Sequence, residues 1–106
     1  KTLTVVKYSK GEADADYVNS KWEIQRQPFK GDVVNAYNDG PPAPGAPPMG
    51  PFYELESSSP AMELNPGERI VHTQTTFHFQ GPEIALDSLA NRIFGASVSD
   101  IQSAFR

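Results

Sequence analysis

The sequence predicts a mainly β protein, a segment of an antiparallel β-sandwich that ends in one or two α-helices. Residues 69–80 alternate apolar and polar side chains with a period of two, which is typical of a strand with one buried face. Shorter segments of strand-forming composition come before it. After residue 80 the apolar residues recur with the period of an amphipathic helix.

Five shorter strands are predicted upstream, from β-branched or alternating residues that lie between turn residues. They cover residues 3–6, 17–27, 32–38, 52–57 and 62–64. In the second of them Trp22 and Ile24 are expected on one face, and Pro28 ends the strand. In the strand 69–80 the side chains predicted to be buried are Val71, Thr73, Thr75, Phe77 and Phe79.

Two helices are predicted after the strands. Pro82 suits the first turn of the longer one, and Gly95 marks its C-terminal end. Its apolar stripe consists of Leu86, Leu89, Ala90 and Ile93. Ser97 and Asp100 have the spacing of a capping box, which predicts a second short helix with the apolar residues Val98, Ile101 and Phe105. The chain is therefore divided into a β segment, 1–80, and a helical tail, 81–106.

Residues 41–51 are predicted to form an extended surface loop. Six of these eleven residues are proline and two are glycine. Because proline has no amide donor, this stretch cannot lie inside a sheet. Two interpretations stay open, namely a plain connector and a lid over a binding site.

Composition and charge exclude several classes of function. The 106 residues carry a net charge of −4 with scattered basic residues, so neither nucleic acid nor a membrane is an expected partner. The chain has no cysteine, which excludes disulfides and thiolate metal sites. No apolar run reaches the ~20 residues that a membrane-spanning helix needs. The first residue is Lys1, which indicates a processed chain or a piece of a longer one.

Glu54 and Glu56 are the first candidates for chemistry. Two residues apart on a strand, they share one face, with their Cα atoms about 6.5–7 Å from each other. A carboxylate in a binding site can act as a general base. The alternative is that both are solvated side chains on an exposed strand.

Four polar side chains share one face of the strand 69–80 and are predicted to bind a ligand: His72, Gln74, Thr76 and His78. Glutamine and threonine both donate and accept hydrogen bonds, which suits sugar hydroxyls. The two histidines are about 20 Å apart on a straight strand, so no shared metal site is predicted. No cofactor motif is present either.

Aromatic side chains supply the remaining candidates. Tyr37, Trp22 and Phe52 can each stack on the C–H groups of a pyranose ring. Core packing is the favoured role of Trp22. Tyr37 and its neighbour Asn38 are therefore added to the predicted ligand-binding residues.

Three segments in a fixed order resemble the aldose 1-epimerase (galactose mutarotase) family. They are Tyr53-Glu54-Leu55-Glu56, then Leu64-Asn65-Pro66-Gly67-Glu68, then Thr73-x-Thr75-Thr76-Phe77-x-Phe79. The segments 32–41 and 52–60 and the helical tail resemble more closely an uncharacterised bacterial family of mutarotase-like proteins. The resemblance implies that the chain is the C-terminal part of a large β-sandwich, a partial mutarotase-like supersandwich.

The resemblance also implies a chemistry, the opening of an aldose ring. In the family a glutamate takes the proton of the anomeric hydroxyl, and a histidine protonates the ring oxygen. Glu56 falls at the position of the catalytic glutamate, with Glu54 as the fallback on the same face. His72 and His78 both follow the glutamate and match neither histidine motif of the family, and Ser57 stands where the family has proline.

The expected function is that of a carbohydrate-binding segment, whose full-length form is an aldose epimerase or another sugar-active protein. This chain alone is expected to be inactive, because acid and base must meet in one site. The alternative is a non-catalytic structural or interaction domain that self-associates. The expected partners are a sugar and either a second copy or the missing N-terminal remainder of the fold. The sequence leaves the compartment open between the bacterial periplasm or exterior and the cytoplasm.

Overall fold

The computed structural model describes residues 1–21, 23–48 and 50–104, which form four strands and two helices. In chain order these elements are β1 (Thr2–Tyr8), β2 (Val34–Asn38), β3 (Tyr53–Ser57), β4 (Gln74–Gln80), α1 (Glu83–Phe94) and α2 (Val98–Ser103). β1 pairs with β4 and β2 pairs with β3, which gives two small antiparallel sheets. The predicted class, mainly antiparallel β with C-terminal helices, is confirmed.

The chain divides into two compact units. The terminal unit consists of Lys1–Lys7 and Thr75–Arg106, and the central unit is Tyr8–Gln74. The terminal unit therefore holds most of the β1–β4 pair and both helices. The central unit holds the β2–β3 pair and the long loops around it.

Contacts between residues that flank the two strands hold one end of the β1–β4 pair. The Gly81 amide donates to the Lys1 carbonyl at 3.2 Å, and the Lys1 ammonium forms an ion pair with Glu83. Of the apolar residues of β1, Val5 is buried. The rings of Phe77 and Phe79 stack with their centroids 6.1 Å apart.

Both predicted helices are present. In α1 the residues Leu86 and Ala90 of the apolar stripe are buried, and Gly95 ends the helix with φ 67°, the left-handed conformation that favours glycine. The capping box of α2 is confirmed, because Ser97 Oγ accepts from the Asp100 amide at 3.0 Å and Asp100 Oδ2 accepts from the Ser97 amide at 2.8 Å. Phe105, predicted in the second helix, lies outside the described residues.

The register of the central sheet decides which side chains share a face. Asn35 pairs with Glu56 and Tyr37 pairs with Glu54. Directly paired residues point to the same side of an antiparallel sheet, so these four side chains lie on one face. The opposite face carries the residues that alternate with them, listed along the two strands as Val34, Ala36, Asn38, Tyr53, Leu55 and Ser57.

The strand predicted over 17–27 is wrong for the residues that the structure describes. Tyr17 forms an isolated bridge with Lys30, and Ile24 is fully exposed. The chain instead folds back as a loop, in which the Asn19 amide donates to the Pro28 carbonyl at 2.8 Å. A side chain here bonds a backbone carbonyl that would accept from a neighbouring strand in a sheet: Gln25 Nε2 donates to the Asn19 carbonyl at 3.0 Å. Trp22 lies outside the described residues.

Two other strand predictions need correction. Residues 62–64 form no strand, and the strand predicted over 69–80 begins only at Gln74. The late start has a local cause: the Thr73 amide donates to the side-chain oxygen of Ser9 at 2.9 Å, where a regular ladder would use a carbonyl. In the loop 41–51 the described residues form no strand, as predicted.

The predicted buried face of the last strand is also wrong. Val71 is 74% exposed and Phe77 is 40% exposed, and of this set Phe79 alone is partly covered. Among the described strands β4 pairs with β1 alone, and the helical residues that become buried are Leu86 and Ala90. Within the described residues, the buried apolar side chains are Val5, Tyr17, Leu86 and Ala90.

Candidate functional site

One face of the β2–β3 pair groups an aromatic ring with three polar side chains. We call it the Tyr37 face; its members are Asn35, Tyr37, Glu54 and Glu56. Side chains that pair directly across two antiparallel strands have Cβ atoms about 4.5–5.5 Å apart. Tyr37 therefore lies beside Glu54, and Asn35 lies beside Glu56. Both glutamates are exposed.

The Tyr37 ring is both accessible and fixed. It is 42% exposed, and the ring of Phe52 packs against it with centroids 5.8 Å apart. Its hydroxyl donates to Asp39 Oδ1 at 3.1 Å. This hydrogen bond, desolvation and the negative charges of Asp39 and Glu54 together raise the pKa of the Tyr37 phenol above its usual value. The phenol therefore stays protonated and keeps donating to Asp39 at neutral pH.

Asp39 is a site residue that the sequence did not single out. It is the one buried polar side chain in the described part of the chain, with 7% exposure. Oδ1 accepts from the Tyr37 hydroxyl, and Oδ2 accepts from the Gly50 amide. In the sequence Asp39 is indistinguishable from an ordinary turn residue before Gly40. Only its partners, one before the proline-rich loop (residues 41–51) and one near the end of that loop, identify it.

A polar cleft adjoins the Tyr37 face at Asn35. Its volume is about 330 Å³, and its lining residues are Asn19, Ser20, Lys21, Lys30, Asp32 and Asn35. Asn35 Nδ2 donates to Ser20 Oγ at 3.2 Å. Asn35 thus belongs to both surfaces, and it places Glu56 beside the cleft through the cross-strand pair. The sequence did not predict this cleft, because the loop that forms it was predicted to be a strand.

A second, more apolar cavity lies elsewhere in the central unit. It measures about 480 Å³ and is lined by Asp16, Val18, Phe29, Ala61, Met62 and Glu63. Of the predicted site residues, none lines it. Its Asp16 carboxylate forms an ion pair with Lys30 at 3.3 Å. We therefore place the candidate site at the Tyr37 face and the polar cleft, where the predicted aromatic and carboxylate side chains are.

His72 takes part in a chain of hydrogen bonds whose direction can be worked out. Gln74 Nε2 donates to the Leu55 carbonyl at 3.2 Å, so Gln74 Oε1 must accept from Ser57 Oγ at 2.5 Å. The hydroxyl of Ser57 has only one hydrogen. Ser57 Oγ therefore accepts at its 2.9 Å contact with His72 Nε2, and that nitrogen carries the proton.

The other ring nitrogen of His72 contacts Ser9. In the neutral imidazole with its proton on Nε2, His72 Nδ1 accepts from the hydroxyl of Ser9 at 3.2 Å, while Ser9 Oγ accepts from the Thr73 amide. Ser57 is not activated by His72, because its own proton points to Gln74. Ser57 alternates with Glu56 along β3, so His72 contacts the side of the strand opposite the two glutamates.

The predicted site residues are thus distributed over several places. Tyr37, Glu54 and Glu56 come together on one face, whereas Asn38 lies on the opposite face of the same sheet. His72 and Gln74 are engaged with Ser57. Thr76 and His78 belong to the terminal unit, where His78 Nδ1 lies 3.2 Å from Thr4 Oγ1.

Two negative findings hold for the described part of the chain, one on metals and one on membranes. Nowhere in that part of the chain do three histidine, aspartate or glutamate side chains come together in a way that could hold a metal ion. Neither of the described helices has the length and apolar character to cross a membrane.

Comparison with known proteins identifies a family without assigning an activity. No curated protein and no solved structure matches the chain. Residues 1–105 match the model of a family of unknown function (DUF6786), and with nearly its whole length covered the chain belongs to that family.

Proposed function

We propose that this chain is a carbohydrate-binding domain segment that takes a sugar on the Tyr37 face. The observation that carries the proposal is the exposed, fixed ring of Tyr37 beside Glu54 on one sheet face. A pyranose presents apolar C–H groups on its ring faces and hydroxyls at its edge. An aromatic ring can cover the first, while carboxylates and an amide bond the second.

The polar cleft supports the same proposal. Its volume of about 330 Å³ is at the lower end of the ~300–1,000 Å³ that small-molecule sites occupy. Its asparagine, serine, lysine and aspartate side chains are all of types that can hydrogen-bond to sugar hydroxyls. A sugar stacked on Tyr37 can extend its edge hydroxyls toward Asn35 and into this cleft.

The resemblance to aldose 1-epimerases adds a proposal for the longer protein. There Glu56 would act as the base on the anomeric hydroxyl, with Glu54 as the fallback. The acid must be a residue other than His72, because the Nε2 proton of His72 is hydrogen-bonded to Ser57 on the other side of β3. For this chain alone we therefore propose sugar binding without ring opening.

The test is a nuclear magnetic resonance titration of the protein with D-galactose and D-glucose. Binding should shift the ring signals of Tyr37 and the amide signals of β2 and β3. Tyr37→Ala should weaken binding about tenfold, since it removes the stacking surface. Glu56→Gln should weaken binding of the same sugar, because a charged acceptor becomes neutral.

Asn38→Ala is the matched control, because Asn38 is the neighbour of Tyr37 on the opposite face. It should leave the affinity unchanged. Equal losses in Tyr37→Ala and Asn38→Ala, or no shift with either sugar in the native protein, would refute the proposal.

A second candidate function is self-association, which exposed apolar side chains of the terminal unit favour. Phe77 is 40% exposed, Ile84 is 82% exposed and Phe94 is 53% exposed. Exposed apolar side chains that form one contiguous patch are typical of surfaces that another chain covers. The oligomeric state in solution decides between this function and a monomeric sugar-binding segment.

A further inference from the structure

The proline-rich loop has its two ends joined by a single buried side chain. Asp39 follows the last residue of β2, and Gly50 lies three residues before β3. Asp39 Oδ2 accepts from the Gly50 amide, and the Asp39 amide donates to the Phe52 carbonyl at 3.4 Å. These two contacts hold the loop closed at its base.

The tip of this loop is also ordered by its own backbone. The Ala46 amide donates to the Ala43 carbonyl at 3.0 Å, and Gly45 has φ 81°. Pro44 and Gly45 therefore occupy the central positions of a turn with the residue pattern of type II. Because proline fixes φ, the loop loses little conformational entropy when it becomes ordered. The contacts at the base of the loop then determine its conformation.

The other oxygen of the same carboxylate belongs to the Tyr37 face. Asp39 Oδ1 accepts from the Tyr37 hydroxyl at 3.1 Å. Phe52, which directly precedes β3 at the end of the loop, packs on the Tyr37 ring. The Phe52 amide donates to the Gly50 carbonyl at 3.0 Å. The ring that would stack on a sugar and the amide that closes the loop therefore share one acceptor residue.

We propose that Asp39 is a positioning residue that couples the orientation of the Tyr37 ring to the closed state of the proline-rich loop. This inference rests on the proposed function in one respect, namely that the ligand stacking on Tyr37 is a sugar. Loss of the carboxylate would free the phenol and the loop together. By thermodynamic linkage, a sugar that holds the Tyr37 ring must then stabilise the closed loop by the same factor.

Two substitutions of Asp39 separate the geometry from the charge. In Asp39→Asn the side-chain oxygen can still accept from Gly50, and the new NH₂ group can donate to the Tyr37 oxygen. The loop and the ring should stay in place, while the pKa of the Tyr37 phenol should fall toward its ordinary value, because the negative acceptor is gone. In Asp39→Ala both contacts are lost.

Site-resolved magnetic resonance supplies the readouts. In Asp39→Ala, hydrogen exchange of the Gly50 amide should accelerate about 10- to 100-fold, the effect of losing a bond to a charged acceptor. Binding of D-galactose should weaken about tenfold. In Asp39→Asn both quantities should stay within about threefold of native, and only the titration of the Tyr37 ring should move. The Ser58 amide, which donates to the Val33 carbonyl at 2.9 Å, reports whether each variant remains folded.

The coupling itself is measured with ligand present. Saturating D-galactose should slow Gly50 exchange in the native protein and leave it unchanged in Asp39→Ala. Tyr37→Phe should weaken binding in the native background and add no further loss to Asp39→Ala.

Native Gly50 protection together with native galactose affinity in Asp39→Ala would overturn the inference while the proposed sugar function stands. If neither D-galactose nor D-glucose binds the native protein, the proposed function and the coupling to sugar both fall. The role of Asp39 in holding Tyr37 and Gly50 would then be judged on the exchange and titration data alone.

Discussion

The direction of the hydrogen bonds around His72 determines what this residue can do. Its residue type and its place on a polar strand face predicted a ligand-binding role. Its partners, Ser9 and Ser57, lie 63 and 15 residues away in the chain, and no local pattern could have indicated them. A histidine bonded on both nitrogens joins segments of the central unit, and this is the role that the geometry supports.

Removing the imidazole should therefore destabilise the protein. His72→Ala deletes two side-chain hydrogen bonds and leaves Ser9 and Ser57 without those partners, which should lower the free energy of unfolding by about 1–3 kcal/mol. His78→Ala is the control, because His78 is exposed and its Nδ1 contacts only Thr4 at 3.2 Å among the described hydrogen bonds. Urea denaturation measures both variants, and equal losses would contradict the role assigned to His72.

At the scale of elements, the local signals of the sequence were strongest for the helices. The glycine that ends α1 and the capping box of α2 are both where the residues predicted them, since caps depend on neighbours three to five residues away. The segment 17–27 alternates as a strand does, and yet it forms a loop. Its Gln25 and Asn19 side chains bond the local backbone, which is a competitor that alternation does not reveal.

The loop that replaces this strand depends on a close backbone contact at Gly31. A Cβ atom at Gly31 would lie 2.0 Å from the Val18 carbonyl oxygen and 2.7 Å from the Asn19 nitrogen. Gly31→Ala should therefore push apart the segment that lines the polar cleft and destabilise the protein by about 1–3 kcal/mol. It should also weaken binding of D-galactose, because Asn19 and Lys30 line that cleft.

Gly40→Ala is the matched control for this steric prediction. A Cβ atom there would meet only Asn38 Oδ1 at 3.6 Å, which is an ordinary contact, and both glycines lack a positive φ. Thermal melts and galactose titrations of the two variants should differ clearly. A Gly31→Ala protein as stable as Gly40→Ala would show that the backbone contact is unimportant.

At the scale of the whole molecule, the class of fold could be predicted and the extent of the core could not. Alternation predicted a strand over 69–80, and the structure has one over Gln74–Gln80. Alternation says only which side chains share a face, not whether anything covers that face. Phe77 shares its face as predicted and is nevertheless 40% exposed. Tyr37 and Glu56 could be predicted as site residues from their residue types. Asp39 and the polar cleft could not be predicted, because both depend on how the loops fold.

The exposed apolar side chains of the terminal unit lead to a prediction about assembly. If these side chains are covered by a second copy, light scattering should give a mass of about twice 11.6 kDa, and dilution should reduce it. Replacing Ile84, which is 82% exposed, by lysine should shift the protein to monomers. Val18→Lys serves as the control, since Val18 is 55% exposed and belongs to the central unit. A native protein that is monomeric at all concentrations would exclude this function.

The proline content of the loop has a further consequence for the way the β2–β3 pair ends. Between Gly40 and Tyr53 no residue is charged, and six prolines have no amide hydrogen to offer. A foreign strand that aligned along this stretch would find half of its carbonyls without donors. The loop itself is therefore a poor template for strand addition, and it is so without the lysine residues that commonly protect sheet edges.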